Sequence, residues 1–463
     1  MPPKVVLFTG ILAAALAAPS LAQPFGRTGA EFRVNHTTGG FQRTPSVGMD
    51  AKGRFFVVWA GPDGSGRGVF GRRFQHNGAP IDSADFSVNV NTTGDQFVPW
   101  VAVAPNTAFD ALVVFEKDQA QPSGNEAFGR RYDTTGPVSG VFQVGSSTSI
   151  YYIFPRAAAD SSGNFVAVWN QGGNVMGQRY SHAGGPLGNA FTAGTDATNG
   201  RPRVARAPGG AFVIAWVGSS YQRISAHRYA ANGSSLGSTF QVSQTSALMY
   251  EAAVAMNDSQ FVVTWSAGVS SPQVLARLFD NGGAALTGEL MVNEYTTGFR
   301  QYLDVAMNGN GGFVVVWEDD NDRDGGGGVP GASIWARRFN ASGTALAGGE
   351  FLVNSVTTAD QRYPRIAEHS NGDFVVVWEG DSTGSYEIYA QRFCHQLAGD
   401  ANGDGTLDLA DVFYLINNLF ASGPAPVRNS DADGNGTTEL ADVFYLINYL
   451  FAGGPAPQCP APV

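Results

Sequence analysis

FVVVW, residues 374–378, is an unbroken apolar run that ends on tryptophan, and the chain returns to it again and again. The same five letters stand at 313–317, and variants end at Trp59 (FFVVW), Phe115 (ALVVF), Trp169 (FVAVW), Trp216 (FVIAW) and Trp265 (FVVTW). Alternating apolar and polar residues would mark a strand with one wet face; a continuous short run marks a strand covered on both faces. Downstream of each copy comes an Arg-aromatic segment, GRRF, GRRY, GQRY, AHRY, ARLF, ARRF or AQRF, ending at Phe74, Tyr132, Tyr180, Tyr229, Phe279, Phe339 and Phe393. A third segment has the form EFRVN or DFSVN, and a fourth is small and apolar, as in VAVA (101–104) and AAVAM (252–256). The unit recurs seven times between Glu31 and Phe393, with a period of about fifty residues.

Four short strands per unit, separated by Gly, Asn, Asp and Pro turns, predict a four-stranded antiparallel sheet, and seven such sheets set radially predict an all-β, seven-bladed β-propeller. The small VAVA-type strand suits the crowded inner edge. The first repeat opens with a VN-type strand and the last ends on its AQRF strand, so residues 31–35 are expected to complete the blade of Trp378 and close the ring. The repeats resemble those of large secreted bacterial adhesin-like and calcium-binding proteins, a likeness with no single activity attached.

Strand order puts the connections from VN-type to VA-type strands and from the FVVVW to the RRF strands on one face. These connections vary widely, from NQGG (170–173) to EDDNDRDGGGGVPGAS (318–333), and function on a repeat scaffold gathers where insertions do. The acidic residues there, Glu116, Asp118, Glu126, Glu318, Asp319, Glu379 and Glu387, are the raw material for a pair of hydrolytic carboxylates. Sequence places no two of them together, and they read as loop charge. Gln42, Arg43, Tyr152, Arg300, Tyr302, Arg362 and Tyr363, just before the inner strands, suit either a stacking surface for sugars or scaffold hydrogen bonds. The arginines of the RRF strands read as structural. Two GxSxG matches, 233–237 and 380–384, fall in turns and not between a strand and a helix, as a nucleophile elbow requires. No catalytic residue is nominated.

The C-terminal region has a different grammar. DANGDGTLDLAD (400–411) and DADGNGTTELAD (431–442) are each followed by VFYLIN. In an EF-hand-type loop the oxygen ligands occupy positions 1, 3, 5, 7, 9 and 12, with Gly at 6. The first loop offers Asp400, Asn402, Asp404, Thr406, Asp408 and Asp411; the second offers Asp431, Asp433, Asn435, Thr437, Glu439 and Asp442. Hard oxygen donors with no Cys or His predict two calcium ions. Each loop feeds one amphipathic helix, while prolines and glycines before the second loop argue against an entering helix. On these residues the segment from about 398 to 457 resembles a type I dockerin, a small α-helical module with paired calcium loops. The resemblance implies attachment to a cohesin. Dockerins that do so commonly carry Ser or Thr at loop positions 10 and 11, where this chain has Leu409, Ala410, Leu440 and Ala441, so the expected partner is a cohesin-like or other surface receptor. A further DxDxDG, formed by Asp320, Asp322 and Asp324, is a candidate third calcium site.

Residues 1–22 read as a signal peptide, with Lys4, an apolar run and a small-residue cleavage site. That divides the chain into 1–22 (signal), 23–395 (propeller) and 396–463 (dockerin-like domain), and predicts a secreted, extracellular protein. The only cysteines, Cys394 and Cys459, bracket the tail and are expected to form a disulfide in an oxidising compartment. Of the net charge of -11, residues 397–463 carry eight acidic side chains against one arginine, so the acidity belongs to the calcium loops. Neither nucleic-acid binding nor a transmembrane span is expected. The sequence therefore predicts a non-catalytic, calcium-binding protein whose propeller binds a glycan or protein and whose tail attaches it to a surface or assembly. The alternative is a secreted carbohydrate-active enzyme, a glycoside hydrolase or lyase.

Overall fold

The computed structural model describes residues 26–118, 124–147, 152–197, 201–320, 331–357, 359–381, 384–394, 398–402, 407–426, 430–434, 437–454 and 457. Seven antiparallel sheets follow one another along the chain. The apolar runs are the second strands, as in Phe55–Pro62, Phe212–Val217 and Phe374–Asp381, and those three are buried almost throughout. Their tryptophans lie between neighbouring sheets, and Trp216, Trp265, Trp317 and Trp378 are fully buried.

Closure is visible in both backbone and core. The first strand, Arg27–Arg33, pairs antiparallel with Tyr386–Phe393 and so becomes the outer strand of the seventh blade; it begins four residues before the stretch 31–35 expected from the repeat pattern. Beyond it, Val34 N–H still donates to Ile388 O (2.7 Å). One apolar cluster joins Val47, Phe55 and Trp59 of the first blade to Ala367, Val375 and Ile388 of the seventh, just as Phe56 and Val58 pack on Val101 and Val113 across the next interface.

Repeated polar clips stitch the blades. The paired arginines of the RRF strands reach in opposite directions: Arg72 Nη1 donates back to Val34 O (2.9 Å), and Arg73 Nη1 donates forward to Asp133 O (2.7 Å). Arg179, Arg228 and Arg392 repeat the forward clip onto Ala231, Asn281 and His76. The last of these again joins the seventh blade to the first. The VN asparagines stand in for a backbone carbonyl where the outer strand ends: Val69 N–H donates to Asn89 Oδ1 and Ile334 N–H to Asn354 Oδ1 (2.8 and 2.7 Å).

The tail holds two helices, α1 (Leu409–Ala421) and α2 (Leu440–Ala452). Their shared core pairs equivalent residues of the two copies, Ala401 with Ala432, Val412 with Val443 and Leu415 with Leu446. Among the described residues no helix is long and apolar enough to cross a membrane.

Candidate functional sites

On the face carrying the variable connections, a cavity of about 650 Å³ opens over the centre of the ring. A second, of about 340 Å³, adjoins it through Tyr152, Phe154, Arg201 and Tyr302. The rim alternates aromatic and cationic groups. Arg43 lies 5.1 Å above the Phe41 ring, Arg67 4.9 Å above Phe97 and Arg201 4.8 Å above Phe154. Phe41 and Tyr152 are more than half exposed, at 56% and 52%.

The rim is built from strained backbone. At the start of the inner strand, Thr44, Val98, Phe154, Tyr302 and Tyr363 all take positive φ, between 47° and 54°. The ladder slips beside four of them, between Arg43 and Ser46, Phe97 and Trp100, Gln301 and Asp304, and Arg362 and Arg365. A β-branched or aromatic residue held there costs about 1–3 kcal/mol and persists only where its surroundings impose it.

The acidic residues noted in the sequence supply part of that constraint. Glu379 accepts from Thr44 N–H (2.8 Å), Glu318 from Tyr363 N–H (3.1 Å) and Glu116 from Phe154 N–H (3.2 Å), each carboxylate bonding the next blade. All three are buried, and burial pushes Glu116 and Glu379 up to about 7 and Glu318 up to about 8, against the opposing pull of those N–H bonds. They are not exposed loop charges, as the sequence suggested. Asp319 lies 3.3 Å from Arg300, Glu387 is bonded by Asn35, and Glu126 accepts from Gln143; only Asp118 stands exposed.

The Arg and aromatic residues before the inner strands divide by role. Gln42 accepts from Trp59 Nε1 (2.9 Å) and Arg300 is buried, which are scaffold tasks, whereas Arg43, Tyr152, Tyr302 and Tyr363 line the cavity. In one GxSxG match, Ser235 Oγ lies 2.7 Å from His227 Nε2, but His227 Nδ1 faces the Ala193 carbonyl and not a carboxylate, so no charge-stabilised base is assembled.

Sequence reasoning missed the arginines at the floor of the cavity, where Arg156 and Arg365 line it and Arg203, outside the lining, joins them at the Trp100 ring. Arg156, Arg203 and Arg365 occupy one register position on three inner strands, each opposite the residue before the blade's tryptophan. The signal was present in RAAA (156–159), RVAR (203–206) and RIAE (365–368), where an arginine precedes the small-residue strand.

In the tail, Asp431, Asp433 and Asp442 each bring one carboxylate oxygen within 4.8 Å of the others. Asp442 also receives Ala432 N–H (2.7 Å) and, through its second oxygen, Glu439 N–H (2.8 Å), so it anchors the loop and the start of α2 together. Asp411 does the same in the first loop, accepting from Asn402 N–H (3.2 Å) and Asp408 N–H (3.0 Å). Asp400, Asp411 and Asp442 are fully buried and Asp431 nearly so. Gathering like charges in this way is unfavourable unless a cation is held between them, and an all-oxygen set fits a hard divalent ion. Asp404, Thr406 and Asn435 lie outside the described residues, as do residues 1–22, Cys459, Asp322 and Asp324. Asp320 is exposed and accepts from Phe299 N–H (2.7 Å). Cys394 is buried at the end of the last propeller strand, where its N–H donates to Gly26 O (2.6 Å).

Residues 398–451 match the family described as Dockerin type I domain, so the chain carries a type I dockerin behind a seven-bladed propeller. Such domains bind calcium and cohesins. No curated protein sequence matches the chain. Among solved structures it is similar to a polysaccharide lyase of family PL25, an ulvan lyase (9% identity, 81% of this chain and 96% of that one, TM-score 0.48). It is also similar to a protein of unknown function from Dyadobacter fermentans (11%, 80% and 99%, TM-score 0.47). A third likeness is to the β-propeller domain of the Trilobed protease from Pyrococcus furiosus (7%, 77% and 94%, TM-score 0.46).

Proposed function

We propose that this is a secreted, non-catalytic binding protein: the propeller holds a glycan in its central cavity, and the dockerin, ordered by two calcium ions, tethers it to an extracellular assembly or surface. The observation that carries the reading is the cavity wall. Among the described residues its lining has five arginines and an aromatic rim but one carboxylate, Glu379, which accepts from Thr44 N–H, while Glu251 of the adjoining cavity accepts from Leu303 N–H. Glycoside hydrolysis by the usual route needs two carboxylates facing the scissile bond. Exposed rings such as Phe41 and Tyr152 offer stacking faces for sugars, each worth roughly 1 kcal/mol.

In the tail, the ligand sets are the two loops from Asp400 to Asp411 and from Asp431 to Asp442, and calcium supplies the charge that their carboxylates lack. Residues 1–22 direct export, and a Cys394–Cys459 disulfide clips the tail to the propeller. The receptor-binding surface is the outward stripe of Leu409, Phe413, Phe420 and their counterparts Leu440, Phe444 and Phe451, with both leucines 45% exposed and the phenylalanines 61% or more. An apolar stripe in place of hydroxyls selects a cohesin-like receptor with an apolar groove.

The test is to screen the full chain against a polysaccharide panel for retention and for product release. Retention is expected, falling about tenfold in the double variant Phe41→Ala, Tyr152→Ala, with no product. Product formation that disappears in Glu379→Gln would establish the enzyme reading; retention by protein ligands alone would move the cavity to a protein partner.

A further inference from the structure

We propose that the floor of the cavity is an oxyanion site, built to take the carboxylate of a uronic acid or the sulfate ester of a sulfated sugar. This rests on the reading of the cavity as a glycan site and names the class of glycan. Seven inner strands present one register-equivalent residue each, the partner of the residue before the blade's Trp or Phe. In blade order these are Ser46, Trp100, Arg156, Arg203, Ala253, Asp304 and Arg365. Ser and Ala show that the scaffold is satisfied there by a small neutral side chain. Three arginines at this position are therefore not demanded by the ring.

The three guanidinium groups converge on one indole. Arg156, Arg203 and Arg365 lie 4.8, 4.9 and 5.9 Å from the Trp100 ring centre, and they are only 5%, 4% and 9% exposed. Their neutralisation is incomplete. Four carboxylates stand near. Asp304, at the same register position, already accepts from Ile366 N–H (3.3 Å), and Glu251, 4.0 Å from Arg203, already accepts from Leu303 N–H (2.6 Å). Glu116 near Arg156 and Glu379 near Arg365 are both committed to backbone N–H groups and raised by burial to about 7, so that neither is a full counter-charge at neutral pH. Against them stand Arg156, Arg365 and Arg201 on the cavity lining and Arg203 beside Trp100. Arg156 Nε and Arg203 Nη1 are buried with no hydrogen-bond partner among the described residues. Burial, together with the like charges of Arg203 and Arg365, pulls Arg156 well below the ordinary guanidinium value; burial brings Arg203 to about 10.

Confining like charges with orphaned donors is costly for folding alone, and a planar or tetrahedral oxyanion relieves both at once through charge-assisted bonds to the guanidinium forks. The rim above supplies rings for the sugar faces. A cavity of about 650 Å³ is in the range that holds a small ligand.

The experiment is calorimetric titration of the full calcium-loaded chain with tetragalacturonate, a carrageenan tetrasaccharide and cellotetraose, the carboxylate, sulfate and neutral arms. An acidic oligosaccharide is expected to bind at least about tenfold tighter than the neutral one, and Arg156→Met and Arg365→Met each to weaken it by a further tenfold or so. The melting temperature of Arg156→Met is expected to hold or rise, because a buried charge without a full partner is removed. A variant that melts earlier yet binds normally would make the arginines structural and overturn the proposal. So would acidic and neutral sugars binding equally, a result that leaves the glycan reading intact. If no sugar binds but sodium sulfate or acetate stabilises the wild type and not Arg156→Met, the oxyanion site stands and the glycan reading falls.

Discussion

The propeller and the dockerin tail stay folded by opposite means. Every blade interface of the propeller carries its own apolar cluster, and the last one, from Val375 and Ile388 to Phe55 and Trp59, closes the ring where the first strand of the chain pairs with the last strand of the seventh blade. The tail has one small core, with Val412, Leu415, Val443 and Leu446 at its centre, and it buries four aspartates beside it. Apolar burial with arginine clips between blades sustains the first; for the second, our proposal is that calcium turns buried repulsion into coordination. The two regions should therefore fail under different insults.

The largest effect is expected from the closing interface. Trp59→Ala removes a buried indole that also donates to Gln42 Oε1 (2.9 Å), and should destabilise the propeller by about 3–5 kcal/mol. Chemical denaturation followed by tryptophan fluorescence measures this, while the calcium-dependent helical signal of the tail should remain. A tail that unravels together with the propeller would join what the comparison separates.

A smaller effect distinguishes the buried carboxylates of the rim from those of the tail. Glu318 is raised to about 8 mainly by burial, with the Tyr363 N–H bond, Arg362 and Gln301 opposing. Because its folded value lies above the ordinary 4.5, the folded state holds the proton longer than the unfolded chain does. Its contribution to stability is thus intact below about pH 4.5 and declines as pH rises through about 8. Glu318→Gln keeps an acceptor for Tyr363 N–H and removes the charge. It should stabilise the propeller by on the order of 2 kcal/mol at pH 9 and by little at pH 4, read from denaturation midpoints at the two pH values. Equal effects at both would show that the carboxylate is ionised without penalty.

The two regions also differed in how far their sequences could be read. Where one residue type has one task, the reading carried through: Trp378 and its equivalents sit between blades, and the period of Val412, Leu415 and Leu419 announces a helix. The spare first strand was legible because the repeat count left it over. Roles that depend on the neighbouring blade were not. Glu116, Glu318 and Glu379 sit at the ends of strands and look like loop charge; only the ring brings Phe154, Tyr363 and Thr44 N–H within reach of them. The arginine floor was hidden for the same reason, since Arg156, Arg203 and Arg365 are up to 209 positions apart in the chain and meet only through Trp100.

The most direct test is calorimetry of the full chain stripped with chelator and titrated with calcium, with circular dichroism at each step. Two equivalents should bind, tail helicity should appear with them, and the melting of the propeller should not move. Full helicity before any calcium is added, or no uptake by the Asp400 and Asp431 loops, would contradict the metal-ordered tether.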